Sequence, residues 1–128
     1  MLEGLRVVEI SAFVAAPLGG ATLARMGAEV TRVDPLGGNI DAHRWPVHEG
    51  RSLYWAGLNR GKRSVTLDLR SERGQDVAAR LAASAGAVLT NLSPRGALSY
   101  ERLCAARPDV VMVQIVGHRD GRGAVDYT

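Results

Sequence analysis

A strand, a helix and a second strand follow one another at the start of the chain, and this order constrains the fold more than any other feature. Residues 5–10 form a short β-branched run with turn-forming residues on both sides. Pro17 suits the first turn of a helix, apolar residues then recur at helical spacing, and Gly27 is a natural stop. Residues 28–33 form the second predicted strand. Such a unit requires parallel strands joined by a right-handed crossover.

Strands and helices alternate again from residue 64 to residue 116. Residues 64–69 alternate apolar and polar side chains as a strand does, and Ser71 is the expected N-cap of the helix that follows. Residues 87–90 predict another strand and residues 99–106 a short helix. Residues 110–116 are the most strongly apolar segment, so we expect a strand that is buried on both faces of the sheet.

This pattern predicts a single α/β domain over residues 1–128, built on a Rossmann-like, doubly wound and mostly parallel sheet. In such sheets, ligands bind beyond the carboxyl ends of the strands. The candidate ligand-binding loops are therefore the segments that follow predicted strands: 11–16, 34–38, 91–96 and 117–126.

Residues 36–63 interrupt the alternation of strands and helices. They show no sustained period, and we expect a long irregular loop there. A loop of this length inside a compact domain is functional or disordered. The aromatic side chains of Trp45, Tyr54 and Trp55 argue against disorder.

Charge and composition narrow the possible partners. The net charge is +3 and the 16 Lys and Arg residues are scattered, without the interleaved aromatic residues of a nucleic-acid surface. A small anionic ligand explains this excess equally well, and no nucleic-acid partner is expected. No apolar run is long enough to cross a membrane. The single cysteine, Cys104, excludes an internal disulfide and fits a reducing cytoplasm.

Several familiar motifs are absent or incomplete. The dinucleotide fingerprint G-x-G-x-x-G does not follow the first strand, which disfavours NAD or FAD. Residues 57–64 are similar to a P-loop, but their glycines are one residue too close and a strand follows instead of a helix. The three histidines lack metal-ligand spacing, and no nucleophile stands beside its own base. These patterns alone indicate an α/β ligand-binding domain.

Several segments match one enzyme family in order along the chain. They are GLRVVEIS (4–11), LARMGAEV (23–30), DPLGG (34–38), LNRGKRS (58–64), LDL (67–69) and NLSP (91–94). With these residues the chain resembles the N-terminal portion of the family III CoA-transferases, which include formyl-CoA transferase and α-methylacyl-CoA racemase. The resemblance covers essentially the whole chain.

The resemblance implies that the loops after three strands, together with a segment near the thioester, hold coenzyme A. The residues that it assigns are Val14, Ala15, Leu67, Asp68, Leu69, Arg70, Asn91, Leu92, Ser93 and Asp126. Backbone amides and an Asn at strand ends can bind adenine edges and pyrophosphate. A phosphate contact and a solvated surface charge are equally open for Arg70, whereas for Asn91 a ligand contact is favoured over turn formation.

The same resemblance implies catalysis by an aspartate that attacks the acyl-CoA thioester and forms a mixed anhydride. That aspartate corresponds to a position beyond Thr128, so no catalytic residue is expected in this chain, which should be inactive by itself. Racemases of the family have a histidine where this chain has Val125, and valine cannot transfer a proton. Several transferases have an arginine at the position of Ser99, and Arg95 is a candidate to replace that phosphate contact.

Four further segments are most similar to family members that move CoA between the two carboxyls of one C5 dicarboxylate: 11–20, 44–47, 54–59 and 119–128. We therefore expect the CoA-binding part of an intramolecular CoA transferase, with an acyl-CoA thioester as substrate and no metal or redox cofactor. An intermolecular CoA-transferase of the same family and a non-catalytic CoA- or nucleotide-binding module remain alternatives. The family resemblance also implies an interlocked homodimer.

Overall fold

The computed structural model describes residues 1–120. Its main sheet has five parallel strands in the order β5-β2-β1-β6-β7, which confirms the expected Rossmann-like arrangement. The strands are β1 (Arg6–Ile10), β2 (Glu29–Asp34), β5 (Arg63–Thr66), β6 (Ala87–Thr90) and β7 (Val111–Gln114), and a separate antiparallel hairpin joins β3 (Val47–His48) to β4 (Arg51–Ser52).

Helices cover the two faces of the main sheet. They are α1 (Ala15–Arg25), α2 (Leu53–Asn59), α3 (Glu72–Ala85) and α4 (Tyr100–Ala106), with short 3-10 turns at Ile40–His43 and Gly96–Leu98. Successive residues of a strand point to opposite faces. Accordingly, Val7 of β1 packs with Ala16 of α1, whereas Val8 packs with Ala78 of α3. Leu103 of α4 is fully buried against Val88, on the same side as α3.

The amino end of α3 lies where the sequence predicted it. The side chain of Ser71 accepts a hydrogen bond from the amide of Gly74 at 3.0 Å, which confirms the expected N-cap. Gly86 ends the helix in the left-handed conformation, with φ at 86°. The strand before this helix is shorter than expected, because β5 stops at Thr66 and residues 67–71 form a turn.

The strand β7 lies at one edge of the sheet, so the expectation that it is buried on both faces is wrong. It pairs with β6 on one side, and Val111 and Val113 are 59% and 51% exposed. An apolar run indicates a strand, but only its neighbours determine how much of it is buried. The helix α1 packs mainly on β1, β2 and β6.

The connection between β2 and β5, residues 35–62, is more regular than its sequence indicates. It holds the first 3-10 turn, the β3–β4 hairpin and α2, so the expected long irregular loop is wrong. Ser52 caps α2 by accepting a hydrogen bond from the amide of Trp55 at 3.1 Å. Elements of two to seven residues are too short for a period to be visible in the sequence.

Candidate functional site

Four loops meet at the carboxyl edge of the sheet. They follow β1, β2, β5 and β6 and comprise residues 11–14, 35–39, 67–71 and 91–95. The chain leaves β1 toward β2 and leaves β6 toward β7, in opposite directions along the sheet. The crevice of a doubly wound sheet opens where the strand order reverses in this way. The gap between the loops after β1 and β6 is therefore the expected binding position.

Asn91 joins these two loops directly. Its side-chain oxygen accepts a hydrogen bond from the amide of Ala12 at 3.0 Å, and its side-chain nitrogen donates to the carbonyl of Ala12 at 2.7 Å. The neighbouring hydroxyl of Thr90 donates to the carbonyl of Ile10 at 2.6 Å. Asn91 therefore fastens the loop after β1 to the loop after β6. A direct contact between Asn91 and a ligand stays a prediction. The side-chain amide of Asn91 already bonds to Ala12, so a ligand would have to share that amide with Ala12.

A cavity of about 260 Å³ opens beside the loop after β6. It is mainly apolar, and its lining comprises Ile10, Leu69, Gln75, Val88, Thr90, Leu92, Ser93, Pro94, Arg95, Leu98 and Met112. Three of the residues that the family resemblance assigns to CoA, Leu69, Leu92 and Ser93, share this cavity. Arg95, the candidate for the missing phosphate contact, is also part of the lining. An apolar bed with a few polar groups is the usual form of a small-molecule pocket.

Leu67, Asp68 and Arg70 belong to the turn after β5 and do not line that cavity. The backbone of Asp68 accepts a hydrogen bond from the hydroxyl of Ser71 at 2.8 Å, and its carboxylate accepts one from the amide of Arg70 at 3.1 Å. The Arg70 side chain is exposed and has no ion pair within residues 1–120. Asp68 thus shapes the turn, and a phosphate contact by Arg70 stays a prediction.

Val14 and Ala15 lie where the loop after β1 enters α1. Val14 occupies the N-cap position without a side-chain cap, and the first turn of α1 has no acidic residue. The amino end of a helix carries partial positive charge and open amides, which favour an anion such as a phosphate. Phe13, directly before it, has a φ of 61°, a left-handed conformation that is unusual for a residue other than glycine.

A buried ion cluster lies beneath the loops, and sequence reasoning missed it. The cluster consists of Glu9, Arg32, Asp34, Asp41 and Lys62. Arg32 is 1% exposed, pairs with Asp34 and Asp41 at 2.9 Å each, and has Glu9 at 3.6 Å. Lys62 lies 2.7 Å from Glu9. The signal in the sequence was a charged residue inside each of two apolar strands, Glu9 and Arg32.

Neutral groups attach the cluster to the surrounding loops. The side-chain oxygen of Asn59 accepts hydrogen bonds from Arg32 at 2.8 Å and from Lys62 at 2.9 Å. Lys62 also donates to the backbone carbonyl of Pro17 in α1 at 2.8 Å, and Ser11 donates to Glu9 at 2.7 Å. The cluster therefore ties the connection between β2 and β5 to the first turns of α1. Burial lowers the pKa of Lys62 below its usual value, while the hydrogen bond to Glu9 opposes that shift.

Arg44 lies near two aromatic rings beside the loop after β1. Its guanidinium carbon is 5.7 Å from the ring centre of Phe13 and 5.0 Å from that of Tyr54. Within residues 1–120, no carboxylate oxygen lies within 4.0 Å of its nitrogens. Trp45 follows it and is 81% exposed. A cation and aromatic surface are thus presented to solvent beside Val14 and Ala15.

Asp126, the remaining residue that the resemblance assigns to the site, lies outside the described residues. In the described part of the chain no three His, Cys, Asp or Glu side chains are grouped as a metal would require. Among the helices of residues 1–120, none is long and apolar enough to cross a membrane.

Comparison with known proteins identifies relatives over nearly the whole chain. Residues 2–126 match the family model described as CoA-transferase family III. The 2-methylfumaryl-CoA isomerase of Chloroflexus aurantiacus is 55% identical over 134 aligned positions, which cover 100% of this chain and 33% of the relative. The succinyl-CoA–D-citramalate CoA-transferase of the same organism is 38% identical, over 91% of this chain and 30% of the relative.

The solved structures agree with this assignment. A CaiB/BaiF family protein from Brucella suis superposes with a TM-score of 0.87 at 34% identity, over 98% of this chain and 37% of that protein. The chain spans about a third of the length of the curated relatives that it matches.

Proposed function

The chain belongs to CoA-transferase family III, and from that premise we propose that it is the CoA-binding N-terminal part of an intramolecular CoA transferase. The enzyme would move CoA between the two carboxyls of one C5 dicarboxylate, as in a 2-methylfumaryl-CoA isomerase. The observation that carries this choice is the 55% identity to that isomerase over all of the chain, against 38% to a CoA-transferase that acts between two molecules.

The carboxyl-edge site supports CoA binding. The cavity beside Leu69, Leu92 and Ser93 has an apolar bed for adenine, and Arg95 in its lining suits a phosphate. The open amino end of α1, at Val14 and Ala15, offers a second place for an anion across the loop that Asn91 braces.

The nearby carboxylates support the proposal that the nucleophile is supplied by another part of the enzyme. Glu9, Asp34 and Asp41 are the buried carboxylates beneath the site, and each one is paired with Arg32 or Lys62. A carboxylate held between buried cations is poorly available to attack a thioester. We place the catalytic aspartate beyond Thr128, so that this chain alone would bind CoA and not turn it over.

The proposed reaction needs one carboxylate and no electron transfer. The aspartate would attack the thioester carbonyl, expel CoA as its thiolate and form a mixed anhydride. The thiolate then attacks the aspartyl carbonyl of the anhydride, which gives an aspartyl thioester and releases the first carboxylate. The second carboxylate of the same molecule attacks that thioester and expels the thiolate again, and the thiolate attacks the acyl carbonyl of the new anhydride and regenerates the aspartate. No atoms are lost and no electrons are transferred, so we propose no metal or redox cofactor. An interlocked homodimer in the cytoplasm, without nucleic-acid or membrane partners, is part of the same proposal.

Calorimetric titration of the folded chain with CoA tests the binding half of the proposal. We expect saturable binding that is weaker for Asn91→Ala, and weaker binding of ADP than of CoA because ADP lacks pantetheine. Equal affinity for ADP and CoA would instead favour the alternative of a non-catalytic nucleotide-binding module. Absence of CoA binding by a well-folded chain would overturn the proposal.

A chimera tests the reaction class. Residues 1–128 replace the corresponding third of the Chloroflexus aurantiacus isomerase, and the chimera is supplied with 2-methylfumaryl-CoA and isotopically labelled free 2-methylfumarate. Isomerisation without label in the CoA ester supports intramolecular transfer, whereas incorporation of label supports the intermolecular alternative. Isomerisation by residues 1–128 alone would show that the nucleophile lies within this chain.

A further inference from the structure

We propose that Arg44 is the specificity-determining residue that binds the free carboxylate of a dicarboxylyl-CoA thioester. This inference rests on the proposed function and adds the residue of this chain that recognises the free carboxylate of the acyl group. It starts from the geometry of Arg44, which lies within 6 Å of the ring centres of Phe13 and Tyr54 and has no ion-pair partner in the described part of the chain.

The two rings determine which part of the guanidinium remains available. The guanidinium carbon of Arg44 lies 5.7 Å from the ring centre of Phe13 and 5.0 Å from that of Tyr54, distances at which its charge interacts with the ring electrons. The N–H groups lie in the plane of the guanidinium and point away from both faces. That edge is the part that binds a carboxylate through two parallel hydrogen bonds. An arginine held in this way is already oriented to bind a carboxylate in the absence of the ligand.

The protein fixes both sides of this arrangement. On one side, Phe13 adopts a φ of 61°, and residues in such sparsely populated conformations cluster at binding sites. On the other side, the carbonyl of Arg44 accepts a hydrogen bond from the hydroxyl of Ser52. The 3-10 turn before Arg44 is held by Asp41, which pairs with Arg32 at 2.9 Å. The buried ion cluster therefore sets the position of Arg44.

Position relative to the CoA site decides between a carboxylate and a phosphate. The cavity that suits the nucleotide is lined by Leu69, Leu92 and Ser93, on the side of the sheet that α3 covers. Arg44 contacts Phe13, directly before Val14, and α2 with its Tyr54 packs on α1. In the proposed binding mode, the nucleotide end of the thioester occupies the cavity and its acyl end extends past the loop after β1 to Arg44, beside the exposed ring of Trp45.

Two CoA esters with the same number of acyl carbons test this inference. Glutaryl-CoA carries a free carboxylate and pentanoyl-CoA carries a methyl group in its place. Calorimetry with the folded chain should give about tenfold tighter binding of glutaryl-CoA, the range expected for hydrogen bonds to a charged group. Arg44→Gln should remove this preference, and Arg44→Lys should restore part of it, because lysine keeps the charge and loses the paired geometry.

Arg51→Gln is the matched control, since Arg51 is an exposed arginine of the nearby hairpin without a side-chain ion pair among residues 1–120. This variant should keep the preference. Equal binding of both esters by the unmodified chain would overturn the role of Arg44 and leave CoA binding intact. If Arg44→Gln weakened the binding of CoA and of both esters equally, Arg44 would contact a phosphate of CoA, and its role as the carboxylate-binding residue would be overturned. A folded chain that binds no CoA would overturn the proposed function itself, and this inference with it.

Discussion

The carboxylate of Glu9 lies 2.7 Å from the ammonium group of Lys62, and both side chains are at most 2% exposed. Lys62 ends the connection between β2 and β5, whereas Glu9 lies in the central strand β1. This pair therefore fastens the far end of the connection to the middle of the sheet. Arg44, which we propose binds the acyl carboxylate, lies on the connection that this pair and Arg32 hold against the sheet.

The pKa of Lys62 is the first testable consequence. Burial lowers this pKa below the usual 10.5, and the contact with Glu9 offsets part of the effect. Lys62 is the only lysine in the sequence, so a chain labelled with ¹³C-lysine gives a single side-chain resonance to titrate. We expect its midpoint to lie below that of the same resonance in urea-unfolded chain. A folded midpoint equal to or above the unfolded one would contradict the burial that the structure shows.

The same shift predicts a pH dependence of stability. Between the folded and unfolded pKa values, the unfolded chain binds more protons at Lys62 than the folded chain does. The contribution of this group to the free energy of unfolding therefore rises with pH through that window up to 10.5, and it is lost as pH falls through the folded pKa. Urea unfolding of the unmodified chain and Lys62→Met at several alkaline pH values isolates this contribution, because the other groups cancel in the difference.

The fold was predictable from sequence because its main signals are local. The βαβ start and the cap at Ser71 each depend on residues that are close together in the chain. The exposure of Val111 and Val113 was not predictable, because it depends on which strands and helices lie beside β7. The apolar run is the same whether that strand is central or at an edge.

The site was predictable in its loops and not in its supporting contacts. The strand ends and the family resemblance pointed to Leu69, Leu92 and Ser93, which the structure brings to one cavity. The ion pair of Glu9 with Lys62 and the contact of Arg44 with the ring of Phe13 join residues that are distant in the sequence. No periodicity or motif encodes such pairs, since they arise only when the connection between β2 and β5 folds over the sheet.

Arg32 should matter far more for stability than an exposed arginine does. Arg32→Met leaves Asp34 and Asp41 buried without their cation, which should cost about 3–5 kcal/mol. The control is Arg63→Gln, which removes an exposed pair with Glu29 at 3.8 Å and should cost at most about 1 kcal/mol. Urea unfolding followed by circular dichroism measures both. Similar losses for the two variants would show that the cluster is hydrated in solution.

Two glycines in helices should respond to alanine in opposite directions. A methyl group at Gly20 in α1 would overlap the carboxylate of Glu9, so Gly20→Ala should disturb the ion cluster and destabilise the fold. Gly57 in α2 has nothing within 4 Å of that methyl position, and its alanine variant should be stabilised by about 0.5–1 kcal/mol. The midpoints of urea unfolding test this contrast, and a stabilised Gly20→Ala would place Glu9 elsewhere in solution.

Asn91 should affect stability and CoA affinity together. Asn91→Ala removes the hydrogen bonds to the amide and carbonyl of Ala12, and because Ala12 is buried this should cost about 1–3 kcal/mol. The released loop should also bind CoA less tightly.

Ser93→Ala is the informative comparison for Asn91→Ala, because the Ser93 hydroxyl makes no hydrogen bond within residues 1–120, yet Ser93 lines the cavity. That variant should leave the unfolding free energy within about 0.5 kcal/mol of the unmodified chain and still weaken CoA binding. If Asn91→Ala weakened CoA binding without changing stability, Asn91 would act as a direct ligand contact and the connection between the two loops would be energetically unimportant.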